Sequence, residues 1–188
     1  MKHVLRTAVL SVFVLQGAVA CAMQANDQKS TNPDAKVLVD FNERIKAYVD
    51  LRKKADDGAP PLKETEDPAK IKTAQTALAK RIMAARAGAK RGDVFTPEIT
   101  QRFRRLLRPE VKDADTRKLI QDDNPGALKF KVNGPYPDGE PLSTVPPNVL
   151  ASLPQLPEDL EYRFVGRHMI LRDSRANIVI DYIPNVIA

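Results

Sequence analysis

The chain reads as an α+β protein, with helices first and a small antiparallel sheet last, and three observations say so. Positions 32–124 hold amphipathic stretches with helix-capping residues at their starts. Positions 160–183 alternate apolar and polar side chains across two turn signals, the pattern of a β-meander. The stretch between them is too rich in proline for either regular form. An N-terminal helical hairpin or small bundle is therefore expected to pack on a C-terminal antiparallel β-meander of three to four strands. The 188 residues suit one domain or two small ones.

Residues 1–20 stand apart from the fold. Lys2 and Arg6 precede an apolar run at 7–19, and Ala18-Val19-Ala20 has the small side chains of a cleavage site. Together they predict a secretory signal peptide, and hence export to the periplasm or cell envelope. The run is too short to span a bilayer. Cys21 is the single cysteine, and two readings of it stand. It is the acylated residue of a lipoprotein, although the tetrad AVAC lacks the usual leucine three positions before the cysteine. Alternatively, cleavage is ordinary and falls after Ala20 or Ala22. Neither leaves a disulfide, so the fold must rest on its core. Residues 21–31 are polar and small, and read as a disordered tether.

The helical region covers 32–124. Asn32-Pro33-Asp34 writes a helix start, with a capping side chain, proline in the first turn and an acid at the positive end of the dipole. Leu38, Phe41, Ile45 and Tyr48 or Val49 follow as one apolar stripe, and Gly58 with Pro60-Pro61 stops it. Asp67-Pro68 starts a second helix whose stripe is Ile71, Ala74, Leu78, Ile82, Ala85 and Ala89, with Gly88 and Gly92 as candidate ends. Its alanines allow close approach to the first helix. Thr96-Pro97-Glu98 opens a third, facing Ile99, Phe103 and Leu106 or Leu107 inward and closed by Pro109. A fourth runs through 115–121.

Residues 125–188 hold the connection and the meander. Leu128, Phe130 and Val132 alternate with Lys129 and Lys131, predicting an edge strand whose lysines discourage further pairing. Positions 133–159 carry seven prolines among leucines and valines, predicting an ordered connection that wraps the sheet, with a helical turn at 148–152. Gly166-Arg167 has the composition of a type II′ loop. That loop sets Val165 opposite His168, Phe164 opposite Met169, Tyr162 opposite Leu171 and Glu161 opposite Arg172. A second turn over 173–177 sets Asp173 opposite Ile178, Leu171 opposite Ile180 and Met169 opposite Tyr182. The inner face is then Leu160, Tyr162, Phe164, Met169, Leu171, Ile178, Ile180 and Tyr182. Glu161, Arg163, His168, Arg172 and Asp181 fall on the outer face.

From position 141 onward the order of motifs carries a resemblance. A proline-leucine segment, Tyr162-Arg163, a short hairpin, Leu171-Arg172-Asp173 and Ile178-Val179-Ile180-Asp181-Tyr182-Ile183 resemble the C-terminal module of small exported bacterial proteins of the RcnB-like kind. The resemblance implies the meander and an exported location. It does not carry over the nickel and cobalt role of those proteins, because His168 is the only histidine beyond the leader.

Chemistry is sparse. HExxH, GxSxG, CxxC and glycine-rich phosphate loops are absent from the sequence, so neither a metal nor a cofactor is expected. The net charge is +6, and it is uneven. Eleven Lys and Arg lie between positions 68 and 108 against Asp93 and Glu98 alone. Arg102, Arg104, Arg105 and Arg108, with Lys80, Arg81, Arg86, Lys90 and Arg91 beside them, are the candidate binding residues for an anionic partner. Lipid headgroups, envelope polysaccharide or an acidic protein suit that compartment. Nucleic acid does not, and the interleaved aromatics it needs are missing. The bland alternative is a solvated basic face. The leading expectation is a non-enzymatic envelope protein, reaching a membrane through a lipid anchor or surface contact. The runner-up is an exported hydrolase with its site around His168 and Asp181, His168 being the side chain that titrates near neutrality.

Overall fold

The computed structural model describes residues 32–58 and 65–187. The leader at 1–20, Cys21, the tether at 21–31 and the Pro60-Pro61 stop lie outside those residues. The remainder is α+β, with five helices and a sheet of four strands.

Each early helix starts where its capping residue stands. α1, Pro33–Asp57, follows Asn32, whose side chain accepts from the Asp34 N–H. α2, Pro68–Ala85, follows Asp67, which accepts from Ala69. It ends before Gly88 and Gly92, capped at Arg86, so Ala89 is not helical. Ile71, expected inward, is exposed. α3, Pro97–Lys112, is capped by Thr96 and runs past Pro109 instead of ending there. Pro109 is on the exposed side, where water can satisfy the carbonyl one turn back that loses its N–H partner. α4, Ala114–Asp122, is capped by Asp113, and α5 is Pro147–Ser152.

The strands are β1 Gly134–Pro135, β2 Leu160–Val165, β3 His168–Asp173 and β4 Ile178–Ile183, in spatial order β1-β4-β3-β2. The β2–β3 register is the expected one throughout. Gly166 takes φ +55°, as a type II′ loop requires at its first central position. Residues 128–132 do not form the expected strand. The edge pairing falls instead on Gly134 and Pro135, opposite Val179 and Ile178, while Leu128 and Phe130 pack on the outer face of the sheet.

β4 departs from the simple alternation. Asp173 pairs with Ile178 and Arg172 with Val179, but Leu171 then pairs with Asp181, Ile170 with Tyr182 and Met169 with Ile183. Ile180 is the extra residue of a bulge, which turns two successive side chains to one face. Asp181 therefore points inward and Tyr182 outward, the reverse of the regular register.

The inner face carries the main core. All five helices contribute to it, with Phe41, Leu78, Phe103, Ile120 and Val149 among the buried side chains that meet Tyr162, Phe164, Met169 and Leu171. Phe103 anchors it, with its ring centroid 4.9 Å from Phe41, 5.2 Å from Phe95 and 6.0 Å from Tyr162. A smaller cluster covers the outer face, where Tyr136, Val165, Ile170 and Val179 meet Leu128, Phe130 and Tyr182.

Candidate functional site

The arginines singled out on α3 divide into two groups. Arg102 and Arg105 grip the same carboxylate at the start of α1. Arg102 Nη1 lies 2.8 Å from Asp34 Oδ2, and Arg105 Nη2 lies 2.7 Å from Asp34 Oδ1. These two fasten α3 to α1. Arg104 faces away from that pair and donates to the Pro184 carbonyl at 2.7 Å. Arg104, Arg108 and Lys112 are all exposed and recur every fourth residue, so they form one row along the helix. Lys112 was hidden from sequence reasoning by the assumption that Pro109 ends the helix.

The basic flank of α2 is also not one surface. Arg86 is turned in, with its guanidinium 5.3 Å from the centroid of the Tyr48 ring and Nη2 donating to the Ile180 carbonyl at 3.3 Å. Burial lowers its pKa, against the opposing charges of Asp93 and Asp181. Arg91 lies over Tyr182 at 5.7 Å.

Asp181 is fully buried and serves as an acceptor for main-chain donors. Its Oδ2 takes the N–H groups of Gly92, Val94 and Phe95 at 3.1, 2.9 and 2.8 Å. These amides stand between α2 and α3, where no helix bond satisfies them. The carboxylate thus holds the α2–α3 connection against β4. His168 lies on the opposite face, with Phe130 and Tyr182 set edge-on at 6.0 and 5.7 Å. Its Nδ1 accepts from the Asn185 N–H at 3.2 Å. Burial, then the charge of Arg167, lowers its pKa. The bulge puts Asp181 and His168 on different faces of the sheet, so the two do not converge.

Two other polar groupings are structural in their geometry. Tyr48 donates to Asp173, which also accepts from the Ala176 N–H at 2.9 Å. On the outer face, Glu161 bridges Arg163 and Arg172. Burial pushes the Glu161 carboxyl up, but the hydrogen bonds and charges of the two arginines outweigh it and the net shift is downward. Arg172 in turn bonds Asn177 Oδ1 at 2.8 Å, and the Asn177 amide donates to the Tyr136 carbonyl. This network pins the proline-rich segment to the sheet, and Asp181, expected among these charges, is not part of it.

Among the described residues, no group of His, Cys, Asp and Glu could hold a metal ion, and no helix is long and apolar enough to cross a membrane. Comparison with protein-family models, curated proteins and solved structures gives no match.

Proposed function

We propose that the chain is an exported, non-enzymatic cell-envelope protein that engages an anionic surface through the outer side of α3. The supporting observation is the exposed row Arg104, Arg108 and Lys112. None of the three pairs with a carboxylate among the described residues, whereas Arg102 and Arg105 are committed to Asp34. A row of cations on a rigid helix, none held by a carboxylate among the described residues, presents its charge without first breaking an ion pair. The leader-like residues 1–20 and the resemblance at 141–188 support the exported location, and acylation at Cys21 would add an anchor.

Co-sedimentation of the full chain with vesicles of anionic phospholipid tests this reading. Each cation near such a surface contributes about 1 kcal/mol, so changing Arg104, Arg108 and Lys112 together to Gln lowers partitioning about a hundredfold. The wild-type interaction weakens with salt. Changing Arg102 and Arg105 to Gln instead reduces stability by about 1 kcal/mol per partly exposed pair, with a smaller effect on binding. Unchanged vesicle binding in the triple variant would overturn the proposal. Mass spectrometry of the mature N-terminus reads cleavage and Cys21 acylation directly.

A further inference from the structure

Between α1 and the irregular stretch joining α5 to β2 runs a shallow apolar groove made of two adjoining hollows. One has a volume of about 360 Å³ and is walled by Val49 and Leu156. The other, of about 480 Å³, is walled by Leu38 and Leu106. Asn42 and Gln155 line both, so the hollows are continuous.

Two features describe an occupant. The main chain of Gln155 and Leu156 makes no main-chain hydrogen bond among the described residues. Successive residues of an extended chain turn their N–H and C=O groups to opposite sides, so one of the two residues can bond a peptide laid along the groove. The lining also carries charge of one sign, for its charged members are Lys46 and Arg102. Arg102 is partly neutralised by Asp34, while Lys46 stands exposed on the rim.

We infer that this groove binds an extended peptide of a partner protein, with apolar side chains at alternate positions and an acidic residue beside them. The apolar side chains enter the two hollows, the peptide main chain pairs with Gln155, which lines both, and the carboxylate meets Lys46. The site involves α1, the Arg102 and Leu106 side of α3 and the α5–β2 connection, but not the row Arg104, Arg108 and Lys112, so it stands or falls separately from the vesicle interaction.

Fluorescence anisotropy with the full chain tests it, using labelled synthetic peptides that place two leucines at alternate positions flanked by glutamate, glutamine or lysine. The glutamate peptide binds saturably and about fivefold or more tighter than the lysine peptide. Asn42→Trp, an exposed change that fills the shared centre of the groove, abolishes binding. Lys46→Glu reverses the charge preference while leaving the fold intact by circular dichroism. No saturation up to about 1 mM, equal binding of all peptides, or binding untouched by both variants overturns the inference. A dimer in sedimentation equilibrium that Asn42→Trp dissociates would also overturn it, making the groove a self-association surface.

Discussion

The hydroxyl of Tyr48 donates to Oδ2 of Asp173 at 2.8 Å, joining residues 125 positions apart inside the main core. The bond docks the middle of α1 on the end of β3. Asp173 is fully buried, and Arg52 approaches the same oxygen at 3.6 Å. Burial and then the neighbouring carboxylate hold the Tyr48 hydroxyl in its protonated, donating form, with Arg86 and Arg52 opposing only in part.

Removing that donor leaves a charged acceptor short of a partner. Tyr48→Phe is expected to lower unfolding free energy by about 2 kcal/mol, the range for hydrogen bonds to charged groups. Urea denaturation of Tyr48→Phe, Asp173→Asn and the double variant should give a coupling of about 1 kcal/mol or more. Strict additivity would show that the bond does not hold α1 in place.

Asp181 concentrates three main-chain donors on one oxygen. Asp181→Asn removes the charge and sets an NH2 group among N–H donors, so the expected cost is about 3 kcal/mol. Hydrogen exchange should quicken at the amides of Gly92, Val94 and Phe95 before it does in β2. Exchange unchanged at those amides would contradict the role assigned to this carboxylate.

Gly166 is required for two reasons at once. Its φ is +55°, and a Cβ there would stand 2.7 Å from the Gly126 carbonyl oxygen. Gly139, at φ +82°, has open space around it. Gly139→Ala should therefore cost about 1 kcal/mol from backbone strain alone, and Gly166→Ala about 2–3 kcal/mol. Thermal unfolding of both distinguishes them, and equal losses would mean the contact with Gly126 is easily relieved.

His168 gives a readout of the outer face. Burial against aromatic rings, with Arg167 nearby, disfavours the imidazolium, so its midpoint in an NMR titration should fall below about 6.5, the unperturbed value. A depressed histidine favours folding where it is neutral. Its contribution is complete above that ordinary value and is lost as pH falls from there through the folded midpoint. Phe130→Ala should move the midpoint back up. A midpoint at the ordinary value in the wild type would mean that the ring is hydrated.

Much of the fold was legible locally. Asn32, Asp67 and Thr96 mark helix starts because a side-chain oxygen beside unpaired N–H groups acts within a turn. Gly166-Arg167 fixes the β2–β3 register because its backbone twist allows that pairing, and the alternating apolar residues confirm the inner face. The helix end after Lys112 was not legible, since proline in a helix interior costs a bond and a steric clash, and only the fold shows Pro109 on the exposed side, where the freed carbonyl meets water. The candidate site was half legible. Sequence named four arginines, but their spacing could not show that Arg102 and Arg105 would meet Asp34, 68 and 71 positions before them in the chain.

Residue order settled the α+β class, the helix starts, the first hairpin and the apolar faces of α1 and α3, because each follows from chemistry within a few residues. The inward turn of Asp181, the outward turn of Tyr182, the bond from Tyr48 to Asp173 and the groove beside α1 came from the packed molecule. They depend on which unpaired groups distant segments bring together. Gly92, Val94 and Phe95 offer buried N–H donors beside β4, and a bulge at Ile180 supplies the acceptor that regular pairing would have turned away.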